Sequence, residues 1–361
     1  MFLKSVSIKA TLLAGLCIPA LSLGAAHAKV APLKGIIAGD TMWQSYKDRF
    51  VHKSGRVIDN GNKKISHSEG QGFSMLLALA ADDPKTFERI WAFTREHMMV
   101  RKDNLVAWRW SPRGFVRVSD KNNATDGDLL IAWALLEAAE AGYAPHYRDQ
   151  AHAILADMRK LVKRDGVFGL WMRPGAHGFD AKHNKGKDII NLSYWVFPAL
   201  ERVSAITGDP LWRDVAKSGE PLIAKASANK AGLPPDWSAM KRNRGKVDLA
   251  RKFTTKFSYN AVRVPLYLAW SEKDRRASLG RFQSNWIGRS GQLAQVDVRR
   301  DRVKGAFAER GYYAIAAVVN CSLSGEPFPT VLRSNLDKLY YPASLHLLSI
   351  VATKQRYPQC W

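Results

Sequence analysis

The chain has 361 residues, 46% of them apolar and 24% charged, which is enough to bury a sizeable core and too apolar for a disordered polymer. The formal net charge is +23, but the basic residues are spread along the chain and gather only locally between Lys241 and Lys256, with no nucleic-acid-binding motif. That excludes nucleic acid as an expected partner and leaves a solvated surface that suits anionic polymers and weakly repels a cationic one.

Residues 1–28 read as a secretory signal. Met1 to Lys9 carries two lysines and no acid, Ala10 to Leu23 is a short apolar run, and Ala26-His27-Ala28 supplies the small residues of a cleavage site. The run is shorter than the roughly 20 residues a membrane span needs, and no later segment qualifies. The sequence therefore predicts an exported protein, periplasmic or secreted, with no membrane span. Residues 29–361 carry no linker-like stretch and read as a single domain, expected to be a monomer. Cys17 leaves with the signal, so Cys321 and Cys360 are the candidates for a disulfide that would tie down the C-terminus.

Along the mature chain, helical signals recur in pairs. Thr41 to Phe50 is an early helix. Glu69 to Asp82 is followed by Pro84 to Val100, Asp126 to Ala141 by His146 to Lys163, and Asn191 to Thr207 by Pro210 to Asn229. Asn260 to Ser271 is followed by Lys273 to Arg289, and Gly311 to Leu323 by a segment near Thr330 to Leu339. Tyr341 to Tyr357 then pairs with the early helix. The first members around Phe73–Ala80 and Leu129–Leu136 are apolar nearly all round, as buried helices are. The pattern predicts an all-α fold, an (α/α)6 toroid or barrel of six helical hairpins, with the apolar helices inside. Their N-termini then gather at one rim, beside the long connections that precede them.

That rim carries the polar residues: Ser66-His67-Ser68-Glu69, Thr125-Asp126-Gly127-Asp128, Asn191-Leu192-Ser193-Tyr194 and Ser258-Tyr259-Asn260. Each has a purely structural reading. Ser66 and Glu69 have the spacing of a capping box, and Thr125, Asp126, Ser258 and Asn260 suit helix starts. Together, however, acids stand on two inner helix starts beside loops rich in aromatics. Trp108, Trp110, Tyr194, Trp195, Trp237 and Tyr259 are rings on which the flat C–H faces of sugars can stack. His67 has no spaced partner, and neither a metal motif nor a phosphate-cradling loop is present, so no metal and no cofactor is expected.

The motifs Ser-Glu-Gly-Gln at 68–71, Ala-Trp at 107–108, Ala-Thr-Asp-Gly-Asp at 124–128 and Tyr-Asn-Ala-Val-Arg at 259–263, with Arg56-Val57-Ile58-Asp59 and Pro235-Asp236-Trp237 in matching order, resemble glycoside hydrolase family 8. This family of bacterial endoglucanases includes the periplasmic cellulase that accompanies cellulose synthase. The stretch from Asn260 to Tyr267 resembles its rhizobial-type cellulases. The resemblance implies an (α/α)6 barrel and inverting hydrolysis of β-1,4-glucan, with cellulose synthase machinery as a partner. It implies Glu69 as general acid, Asp126 as the residue that holds the central sugar and stabilises its cationic charge, and Trp108, Tyr194, Tyr259, Asn260 and Arg263 as groove residues. Asp128 is expected to brace the helix start.

One departure matters. Many members carry an aspartate, the general base, where this chain has Asn260, and an amide cannot take a proton. Three explanations stay open: a carboxylate from the preceding loop, with Asp236 favoured over Asp248; Asp126 acting on water in an altered geometry; or a catalytically weak, glucan-binding component of a cellulose synthesis or export system. A toroidal enzyme on another polymer, including a lyase, is the remaining alternative.

Overall fold

The computed structural model describes residues 32–250, 252–289 and 291–361; residues 1–28, read above as a secretory signal, lie outside the described residues. Among those residues eleven α-helices follow one another: α1 (Thr41–Phe50), α2 (Ser68–Ala80), α3 (Pro84–His97), α4 (Thr125–Glu140), α5 (His146–Arg159), α6 (Phe197–Thr207), α7 (Pro210–Ala226), α8 (Arg263–Trp270), α9 (Arg276–Phe282), α10 (Arg310–Ser324) and α11 (Tyr340–Arg356). None is long and apolar enough to cross a membrane.

Helices α2, α4, α6, α8, α10 and α11 pack side by side in that order, and α11 returns to α2 to close the ring. Helices α3, α5, α7, α9 and α1 lie outside α2, α4, α6, α8 and α11 respectively. This is the (α/α)6 toroid that the sequence predicts. The inner helices are apolar all round because both faces are covered: in α2 every residue except Glu69 is buried, and in α4 burial runs unbroken from Thr125 to Ala138. Close approach is secured by glycine. A Cβ on Gly72 would sit 2.6 Å from Leu130 Cβ, so any larger residue would push α2 away from α4.

Three predicted helices are shorter than expected. The outer partner of α10 is reduced to a 3-10 turn, Thr330–Leu332. Pro327 and Pro329 offer no N–H to a preceding turn, and Asn335 turns into the left-handed region at φ 61°. The segment still has a task, since the Asp337 carboxylate accepts from the N–H groups of Arg310 (3.0 Å) and Gly311 (2.8 Å) and caps α10. The third inner helix opens as a 3-10 turn, Leu192–Tyr194, and becomes α-helical only at Phe197, with Pro198 in its first turn. The fourth begins at Arg263 rather than Asn260.

Short strands occupy the connections that lead into the inner helices. They include Ser66–His67 with Arg109–Trp110, the sheet of Asp188–Ile190, Ser238–Lys241 and Lys246–Leu249, and the hairpin of Ala294–Asp297 with Arg302–Ala306. They stiffen one rim. At the far end of α10, Cys321 and Cys360 are joined by a disulfide that ties the C-terminal turn to the ring.

Candidate active site

A cleft of about 770 Å³ opens on the rim where the inner helices start. Glu69 and Asp126, in the first turns of adjacent helices α2 and α4, form its floor with Arg263 from the first turn of α8. Arg263 Nη1 donates to the carboxylates of both Glu69 and Asp126, the latter at 2.9 Å. Its Nη2 donates to Ser193 Oγ at 2.8 Å and Asn260 Oδ1 at 3.0 Å. One cation thus holds two carboxylates. Burial pushes the Asp126 pKa up to about 7; Arg263 pulls it down and the nearby Glu69 charge raises it further.

The capping box expected of Ser66 and Glu69 does not form. Ser66 Oγ donates to Val57 O, and the cap of α2 is His67, whose Nδ1 accepts from Gly70 N at 3.1 Å. Glu69 is thereby left free of its own helix end, with a side chain 15% exposed to the cleft. His67 Nε2 lies 3.4 Å from Asp59 Oδ2. Burial alone would lower the His67 pKa, but Asp59, Glu69 and Asp126 together raise it. Thr125 does not cap α4 either; its hydroxyl donates to Arg173 O at 2.8 Å. Asp128 accepts from Val106 N (2.8 Å) and Asn123 Nδ2 (2.7 Å), bracing the loop that carries Trp108.

Trp108, Tyr194, Tyr259 and Asn260 all line the cleft. Trp108 Nε1 is held by Asp120 Oδ2 at 2.8 Å, and the Tyr194 ring lies 5.9 Å from the Arg263 guanidinium. Asn260 Oδ1 accepts from Arg263 and from Asn191 Nδ2 (3.1 Å), so its oxygen is fully engaged in the floor.

Asp236, the loop carboxylate expected to serve as base, is not among the cleft-lining residues. It is only 2% exposed, and its Oδ1 accepts from Ser258 N (3.1 Å), Asn260 N (3.0 Å) and Ala261 N (2.8 Å). Burial pushes its pKa up to about 6 against the pull of those three N–H groups and Arg263. Its place is that of a cap for the chain entering α8. Asp248 lies farther out, paired with Lys187 Nζ at 2.7 Å. Two aromatic candidates also fall outside: Trp195 is buried with Nε1 on Val215 O (3.0 Å), and Trp110 packs against Phe93.

Sequence reasoning missed several lining residues. Phe179, Trp237 and Phe253 cluster into an aromatic wall, with ring centroids 5.6 Å (Phe179–Trp237), 4.8 Å (Trp237–Phe253) and 6.4 Å (Phe179–Phe253) apart. Tyr312 and Tyr341 flank Tyr259, with ring centroids 6.4 Å away in each case. Asp59, Asp120 and Glu309 add carboxylates. The one available signal was position: Asp59, Asp120, Phe179 and Phe253 stand in the connections before inner helices, and Glu309, Tyr312 and Tyr341 at the starts of α10 and α11.

The arrangement is a groove of rings and hydroxyls over a buried acid pair, suited to a neutral polysaccharide. Comparison with known proteins agrees. The family model described as "Glycosyl hydrolases family 8" matches residues 18–355. A probable endoglucanase of Novacetimonas hansenii is 37% identical over 314 residues, covering 86% of this chain and 89% of that one. Two solved structures are similar throughout: a family 8 endoglucanase from Klebsiella pneumoniae (33% identity, TM-score 0.78, 88% of this chain and 99% of that one) and an endo-β-1,4-glucanase from Acetobacter xylinum (35% identity, TM-score 0.79, 90% and 99%).

Proposed function

The chain belongs to glycoside hydrolase family 8 and is an endoglucanase of that family, and on that premise we propose that it cuts β-1,4-glucan with inversion, Glu69 serving as the general acid. The observation that carries this reading is the shared Arg263. It holds Glu69 and Asp126 on one floor beneath a groove lined by Trp108, Tyr194 and Tyr259. Two carboxylates in one dry pocket do not both ionise readily. Glu69, at the more exposed edge, delivers its proton to the leaving glycosidic oxygen. Asp126, kept in place by Arg263 and Gly127 N (2.9 Å), faces the reacting sugar and stabilises the positive charge that develops at its anomeric carbon.

Reducing-end release from carboxymethylcellulose tests the reading. Wild type should release ends, and Glu69→Gln should reduce release by at least roughly a hundredfold while cellooligosaccharides still bind. Binding without release by the wild type would contradict it.

Export belongs to the same proposal, with residues 1–28 as a cleaved signal and a monomer acting outside the cytoplasm, on the glucan made by a cellulose synthase. N-terminal sequencing of the protein recovered from periplasm or medium checks the cleavage, and glucan chain length in a deletion strain checks the role.

A further inference from the structure

Inversion needs a carboxylate to take a proton from the attacking water, and the usual position is occupied by Asn260, whose oxygen is held by Arg263 and Asn191. The other cleft carboxylates are also committed. Glu69 and Asp126 share Arg263. Asp59 Oδ1 accepts from Gly61 N (3.0 Å) and its Oδ2 faces His67. Asp120 accepts from Asn122 N (2.9 Å) and Trp108 Nε1.

Glu309 differs. It stands at the N-cap of α10, the inner helix next to α8, and lines the same cleft. Its side chain makes no cap hydrogen bond, because Asp337 performs that task. Among the described residues its carboxylate has neither a hydrogen-bond donor nor an ion-pair partner. It shares the cleft with Tyr312, Tyr259 and Tyr341, of which Tyr259 packs against both of the others. On the ring, α10 and α2 are separated by α11 alone. With neighbouring axes about 9 Å apart, theirs are about 16 Å apart. Glu69 and Glu309 thus line one cleft from inner helices two places apart on the ring, and an inverting pair needs a separation of roughly 6.5–9.5 Å.

We propose that Glu309 is the general base that compensates for Asn260. This rests on the reading of Glu69 as acid. Glu309 takes a proton from water as the water oxygen bonds to the anomeric carbon. The glycosidic C–O bond breaks, its electron pair goes to the leaving oxygen, and that oxygen takes the proton of Glu69. The two carboxyl groups then exchange their protons with solvent.

The experiment compares wild type, Glu69→Gln, Glu309→Gln and Glu309→Ala on cellopentaose and on a 2,4-dinitrophenyl β-cellooligosaccharide, whose leaving group needs no proton. Glu309→Gln should lower kcat roughly a hundredfold or more on both substrates, with cellopentaose affinity within threefold of wild type. Azide should restore turnover of Glu309→Ala and give an α-glycosyl azide, since azide needs no base. Glu69→Gln should fail on cellopentaose and survive on the activated substrate; if it does not, the acid assignment falls independently of Glu309. The proposal is overturned if Glu309→Gln keeps its kcat on cellopentaose, or if the loss is confined to KM, which would make Glu309 a sugar-binding group. Misfolding is not expected, since the substitution removes no hydrogen bond, and oligosaccharide affinity reports it directly.

Discussion

Arg263 Nη1 lies 2.9 Å from Asp126 Oδ2, and each side chain is only 2% exposed. A buried ion pair gains little over an apolar pair, but breaking it strands a charge. In this site the stranded charge would be two carboxylates, because Glu69 shares the same cation.

Arg263→Met should therefore destabilise the fold by about 3–5 kcal/mol at pH 8 and abolish hydrolysis. The sign of its pH dependence is fixed by Asp126. A carboxyl whose folded pKa is raised to about 7 contributes stability below its unfolded value that is lost as pH rises through 7. Without Arg263 that pKa rises further, so the Tm deficit of the variant should shrink toward pH 5. Calorimetry at pH 5, 6.5 and 8 checks this, and a deficit independent of pH would contradict it.

Asp236 should behave as a cap rather than a base. With a folded pKa of about 6, its contribution is present below the unfolded value near 4 and lost as pH rises through 6, worth about 3 kcal/mol. Asp236→Asn should remove that loss, gain on wild type between pH 4 and 8, and keep kcat within about threefold. Asp236→Ala, which strands three N–H groups, should cost about 2–4 kcal/mol at pH 4, and the deficit should shrink as pH rises through 6 and wild type loses its own contribution. Denaturant titrations with parallel activity assays decide it.

Gly127 should matter more for activity than for folding. A Cβ there would lie 2.7 Å from Ser68 Cβ and 2.8 Å from Glu69 N. Gly127→Ala must then move the start of α2, costing about 1–3 kcal/mol. Because it displaces Glu69, the proposed acid, kcat should fall by about a hundredfold. A stable variant with full kcat would show that the acid tolerates displacement.

The Cys321–Cys360 bridge closes a loop of sequence separation 39, for which the chain-entropy relation gives about 4 kcal/mol. Cys321→Ser with Cys360→Ser should lower Tm accordingly. Activity at 25 °C should persist, since Cys321 lies about 18 Å along α10 from the rim. Thermal melts and endpoint assays test both halves.

The ring is legible in the sequence because inner helices carry apolar residues on every face and outer ones on a single stripe. The meeting of Glu69 and Asp126 in one cleft is legible because acids at buried helix starts are unusual and their motifs are specific. Asp236 misleads for a physical reason. Its Pro-Asp-Trp setting places Trp237 in the cleft, while the aspartate itself turns back onto the N–H groups of Ser258, Asn260 and Ala261. The wall of Phe179, Trp237 and Phe253 is not legible, since its rings come from separate loops and no periodicity links them. Glu309 is hidden for a related reason: its position at a helix start suggests a cap, and only the structure assigns that role to Asp337.

The most direct test of the account is the anomeric configuration of the first product. Cellopentaose hydrolysis followed by proton NMR, faster than mutarotation, should show the α-anomer of the newly formed reducing end first, with the β-anomer appearing only as it equilibrates. Initial appearance of the β-anomer would mean retention, and would contradict Glu69 as acid, Asp126 as stabiliser and Glu309 as base of an inverting reaction.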